Sequence, residues 1–156
     1  MSIGWRSAHY HDGRRRRARS RAGCFRVVTA NKQLVTRFIG LLNAGVHDEA
    51  VALLTEDFIW AIPKSIPGGG EKTAAEFWAM LAGVMSLYVA QPQYTIVSMT
   101  AESDRVSVEL VGDGDLKNGK HFQNQYHMLF FISGRFIRRV NEYVDTHYSI
   151  KNIFGG

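Results

Sequence analysis

The chain has a single cysteine, Cys24, so it cannot form an internal disulfide. Nothing in its cysteine usage points to an oxidising compartment, and the expected location is the cytoplasm. It lacks any run of about 18 apolar residues, which argues against a membrane-spanning helix. His47, His121, His127 and His147 are scattered, with neither H-x-x-x-H nor H-E-x-x-H spacing, so no metal site is expected. There is no G-x-S-x-G elbow and no dinucleotide fingerprint. Gly68-Gly69-Gly70 is not followed by the Lys-Ser/Thr of a phosphate-binding loop. The sequence therefore gives no support for cofactor-dependent chemistry.

What is present is a composition of 46% hydrophobic and 21% charged residues over 156 positions, which fits one ordinary globular domain. The net charge of +5 misleads. Residues 1–28 hold eight arginines against one acid, Asp12, whereas residues 29–156 hold eleven Lys/Arg against thirteen Asp/Glu. The basicity belongs to the tail and the domain is mildly acidic, so nucleic acid is not the expected partner of the domain. The tail, with the run Arg14–Arg17, has three readings: a basic arm for nucleic acid, anionic membrane or nuclear targeting; a transit peptide; or translated leader ahead of a start near Val27 or Val28. In each case it has almost nothing to bury and is expected to be disordered.

From Asn31 to Ala44, Leu34, Phe38, Leu41 and Leu42 recur at helical spacing, widened by Val35 and Ile39, with Gly45 placed to stop the helix. A shorter helix is expected over Asp48–Leu54, and Phe58–Ile62 has strand composition up to Pro63. Thr73 and Glu76 form a T-x-x-E capping box opening a third helix, which Pro92 cannot continue. The period then changes to two, predicting an antiparallel meander over Tyr94–Thr100, Val106–Asp113, Lys120–Ile132 and Arg135–Asp145. The expected fold is α+β: a curved antiparallel sheet wrapped around a long helix.

Two carboxylates, Glu142 and Asp145, stand near the end of the last strand. Their odd separation puts them on opposite faces unless a bulge intervenes. A carboxyl buried there would have a raised pKa and could act as a general acid or base. Alternatively, Glu142 pairs with Arg138 or Arg139 at the surface and Asp145 caps a turn. Phe122, Asn124, Tyr126, Met128 and Phe130 share one strand face, a greasy wall with two polar groups. Alternation alone does not say which face is inside, because Leu129 and Phe131 make the other face apolar too. Glu109, interrupting Val106-Val108-Leu110, is a third carboxylate that faces either in or out. His127, between apolar residues, reads as a structural histidine.

Five segments resemble the SnoaL-like and ketosteroid-isomerase-related branch of the nuclear transport factor 2-like superfamily over about Asn31–Phe154. They are Leu41-Leu42-Asn43-Ala44-Gly45, the stretch from Glu56 to Pro63, that from Asp104 to Glu109, that from Asn118 to Tyr126, and Glu142-Tyr143-Val144-Asp145-Thr146. The resemblance implies a conical α+β barrel, commonly a homodimer through the sheet. It also implies a small-molecule pocket into which Trp60, Glu109, Asn124, Tyr126 and Glu142 look. The sequence departs from characterised relatives: Ile62 stands before Pro63 where ketosteroid isomerases carry their Asp base. No Arg-x-Asp like that of limonene-epoxide hydrolases occurs around Arg105–Glu109. Polyketide cyclases of the SnoaL type use an acid/base Asp at or near the position of Glu142. The expected function is cofactor-independent acid/base catalysis on a small, largely apolar carbonyl or polycyclic substrate. Glu142 would move the proton, Asp145 would tune or relay it, and Asn124 and Tyr126 would orient the substrate. The other reading is a non-catalytic carrier of a hydrophobic ligand, in which filling the pocket at Ala61 abolishes binding.

Overall fold

A computed structural model describes the backbone of residues 13–155 and the side chains from Arg26 onward. Helix α1 runs from Gly13 to Ala44. It therefore begins inside the stretch that the sequence reading assigned to the tail, while residues 1–12 lie outside the described residues. Among its described side chains burial starts at Asn31, and from there Val35, Phe38, Ile39 and Leu42 form the inner stripe. Gly45 (φ +68°) ends the helix in the left-handed region. Its amide donates to the Leu42 carbonyl at 3.1 Å and that of Val46 to Leu41 at 3.0 Å, the two bonds of a Schellman motif.

Helix α2 is short, His47–Val51. It stops before Leu54 because Leu53 and Leu54 are claimed by the sheet: the Leu53 carbonyl accepts from the Ile137 amide at 2.8 Å. Strand β1 spans Leu54–Ile62 and β2 Gly70–Thr73. Strand β2 was not anticipated. Its four residues are too few for a period, and it exists because two tight turns fold the Pro63–Gly69 loop back on β1. Gly69 is required there, since any Cβ would collide with the Pro63 carbonyl oxygen.

Helix α3, Ala74–Met85, opens with the expected reciprocal cap. The Glu76 amide donates to Thr73 Oγ1, and the Thr73 amide donates to Glu76 Oε2 at 2.8 Å. Strands β3 (Gln93–Glu102), β4 (Arg105–Asp115), β5 (His121–Ser133) and β6 (Phe136–Val144) form the meander. A one-turn helix α4, Thr146–Ser149, and a π-helical turn, Ile150–Phe154, close the described chain.

The six strands make one curved sheet in the order β2-β1-β6-β5-β4-β3. It is mixed rather than wholly antiparallel, because β1 and β6 run parallel, joined in sequence by everything between them. Helix α1 lies against β3 and β4, and α3 against β1 and β2, so two helices cover the concave face. The question that alternation left open is answered by burial. Phe122, Asn124, Met128 and Phe130 are buried, whereas Phe131 turns outward, where the guanidinium groups of Arg105 and Arg138 lie 5.1 and 5.5 Å from its ring centre.

Candidate functional site: a carboxyl in an aromatic cavity

A cavity opens between the concave sheet and α1, α3 and the C-terminal turns. Its wall is largely aromatic and aliphatic, including Phe38, Trp60, Phe77, Phe122, Phe130 and Leu110. Trp60 and Phe77 stack nearly parallel, with ring centres 3.9 Å apart. Helix α3 presents Phe77 because its capping box fixes the start of the helix three residues upstream.

Glu142 lines this cavity from β6, where Val140 and Val144 flank it on the same face. In the parallel register Trp60 lies beside Val140, so its indole reaches forward and Nε1 donates to Glu142 Oε2 at 2.8 Å. The carboxyl is pushed up from 4.5 to about 7: its burial dominates, and the indole bond opposes it. The expected alternative, an ion pair with Arg138 or Arg139, is not formed; Arg139 pairs with Glu71 at 2.7 Å on the outer side. A carboxyl with this pKa, set in a largely apolar wall, is suited to exchange a proton near neutrality.

Tyr126 from β5 also lines the cavity, and so does Tyr94 from β3, which the sequence reading did not single out. Their rings meet edge to face at 6.0 Å. Burial raises both phenols well above their usual pKa, with the nearby Glu142 adding to it, so both stay protonated donors. The available signal was Gly112, an inward glycine on an apolar strand, paired with Tyr94 on one side and Asn124 on the other. A Cβ there would sit 2.9 Å from Tyr126 Cε2 and 3.0 Å from Tyr94 Cε1.

Three expected site residues, Glu109, Asn124 and Asp145, lie elsewhere. Glu109 is exposed on the convex face, where it accepts from Ser98 Oγ at 2.8 Å, because its neighbours Val108 and Leu110 are the inward pair. Asn124 is buried but does not line the cavity. Its Nδ2 donates to Ser149 Oγ at 2.9 Å and to the Asp145 carbonyl at 3.3 Å, while Oδ1 accepts from the Gln125 amide. Asp145 is not on the strand at all. It is the N-cap of α4, accepting from the Tyr148 amide at 3.0 Å, the turn-capping alternative. No bulge brings it to Glu142. Ala61 also points away from the cavity, since Trp60 and Ile62 are the inward residues of β1. His127 is exposed, with Nε2 2.7 Å from Ser107 Oγ.

Among the described residues, no three His, Cys, Asp or Glu side chains gather as a metal would require, and no helix is long and apolar enough to cross a membrane. No functionally curated protein matches the sequence. Solved structures do match in fold. A nuclear transport factor 2-like protein from Burkholderia pseudomallei aligns with TM-score 0.72 at 18% identity, covering 80% of this chain and 97% of its own. A candidate polyketide cyclase from Xanthomonas campestris pv. campestris aligns with TM-score 0.69 at 23% identity, covering 81% and 98%. TerC, crystallised with polyporic acid, aligns with TM-score 0.71 at 14% identity, covering 81% and 99%. The SnoaL-like domain profile matches residues 35–140, from within α1 to within β6, which takes in Trp60 of the cavity but ends before Glu142, and the chain belongs to the SnoaL-like family.

Proposed function

We propose that the protein is a cofactor-independent general acid/base enzyme of isomerase, cyclase or hydrolase type, acting on a small, largely apolar carbonyl or polycyclic molecule. One observation carries this reading: Glu142 lines a cavity of mainly apolar side chains and is held by Trp60 Nε1, a setting in which burial pushes its pKa up to about 7. Such a group takes a proton from a carbon acid or gives one to a developing oxyanion without help from water. Trp60 fixes the carboxyl, Tyr126 orients the substrate, and Asp145 acts only by capping the helix that closes the cavity. The family resemblance adds a homodimer through the convex sheet face, on which Val97 and Tyr143 are exposed.

The test is turnover of a panel of enolisable ketones and epoxides by the full chain and by Glu142→Gln. The loss expected in kcat/KM is at least about 100-fold, the usual contribution of a positioned acid/base. Full activity in Glu142→Gln contradicts the assignment.

A second reading, a carrier for a hydrophobic ligand, is favoured by the mainly apolar lining and by the absence of a second carboxyl among the described lining residues. It predicts no turnover, unchanged ligand affinity in Glu142→Gln, and loss of binding when the cavity is filled by Val84→Trp.

A further inference from the structure

We infer that the cavity selects neutral, flat molecules bearing a carbonyl or phenol oxygen, held by the hydroxyls of Tyr94 and Tyr126, and rejects carboxylates of the same shape. This rests on the cavity of Glu142 being the functional site, but it concerns binding and holds whether or not a proton is then transferred.

The first ground is hydrogen-bond satisfaction. Both tyrosines line the cavity, and neither hydroxyl has a partner among the described residues, although neither is sealed from open space. Each hydroxyl is thus free to donate to an oxygen on a ligand, and such a bond gains more beside an apolar wall than at a fully wet surface. The second ground is placement. The rings are pinned edge to face at 6.0 Å over Gly112, whose missing side chain is what lets both lie against β4. Gly114 does the same for Tyr88, another lining residue, because a Cβ there would sit 2.8 Å from its Cδ1. This bare strip of strand is therefore a seat for phenol rings, with both rings in place before any ligand enters.

The third ground is charge. No Lys or Arg is among the described lining residues, and the single imidazole, His47, is stacked on Trp78 at 5.1 Å with Nε2 buried and unpartnered. The remaining titratable groups facing the cavity are Glu142, Tyr88, Tyr94 and Tyr126. Once Glu142 ionises, an anion entering this low-dielectric space meets a like charge and no cation. The aromatic wall meanwhile favours a flat body.

Three probes of one shape separate these grounds: 2-naphthol, 2-naphthoate and naphthalene, with affinities measured by calorimetry on the full chain. At pH 8, 2-naphthol is expected to bind at least about tenfold more tightly than 2-naphthoate, and the gap narrows at pH 6 or in Glu142→Gln. Tyr94→Phe and Tyr126→Phe each weaken 2-naphthol about fivefold, the worth of one neutral hydrogen bond, and leave naphthalene unchanged. Unchanged naphthalene affinity also reports that the variants keep the cavity. The inference is overturned if 2-naphthoate binds as tightly as 2-naphthol at pH 8, if both Phe variants keep wild-type affinity for 2-naphthol, or if none of the probes binds. Turnover that survives Glu142→Gln while the probes behave as expected would reject the catalytic reading alone.

Discussion

Trp60 Nε1 donates to Glu142 Oε2 at 2.8 Å across the parallel β1–β6 pair, and the same indole stacks on Phe77 of α3 at 3.9 Å. The carboxyl is therefore subject to two opposed influences. Burial favours its neutral form and the indole N–H favours its charged form.

Removing the indole donor should expose that opposition. In Trp60→Phe the aromatic packing is largely kept but the bond is lost. The Glu142 midpoint is expected to rise further, by about one pH unit, the equivalent of a hydrogen bond to a charged group. Titration followed by carboxyl infrared absorption checks this, and an unchanged or lower midpoint contradicts it.

Stability should carry the signature of Glu142. Its folded midpoint, about 7, lies above its ordinary value of 4.5, so the folded state holds the proton more tightly than the unfolded state does. Its contribution is fully present below pH 4.5, declines as pH rises, and is gone above about 7. The fall is on the order of 3 kcal/mol for this enclosed group. Urea unfolding at pH 5 and pH 8 should show this component in the wild type and lose it in Glu142→Gln.

The reciprocal cap at Thr73 should be worth about 1 kcal/mol. Thr73→Ala is expected to lower the urea midpoint accordingly and Thr73→Ser to restore most of it, because the hydroxyl, not the methyl, accepts from the Glu76 amide.

Asn124 ties the C-terminal turns to the sheet through Ser149 and the Asp145 carbonyl. Asn124→Ala leaves these buried groups short of a donor, at a cost of about 1–3 kcal/mol. The turn Ile150–Phe154, which supplies Ile153 and Phe154 to the cavity wall, should then be cut faster in limited proteolysis. Protection equal to wild type would show that Asn124 is not the tie.

Elements governed by local rules were legible in the sequence. The stop at Gly45, the cap at Thr73 and the four meander strands all follow from a period or a side-chain hydrogen bond. Strand β2 was missed because a four-residue strand has no period and depends on a distant partner. The parallel β1–β6 pairing joins residues some eighty positions apart, for example Trp60 with Val140, and no local pattern specifies it. The site divides in the same way. Glu142, Trp60 and Tyr126 were named in advance and line the cavity, whereas Glu109 was assigned to the wrong face, although Leu110 beside it is the inward residue. Asn124, by resemblance, and Asp145, by its place near the end of the last strand, were expected near the substrate, but their side chains are occupied in holding α4. Tyr94 was not singled out, because its place over Gly112 depends on the β3–β4 register.

The most direct test of the account is the protonation of Glu142 itself. Carboxyl carbon-13 NMR of glutamate-labelled wild-type protein, with Glu142→Gln to assign the resonance, should show one glutamate titrating at about pH 7. A Glu142 resonance titrating near the ordinary 4.5 would mean that the carboxyl is wet, and the acid/base role would fall with it.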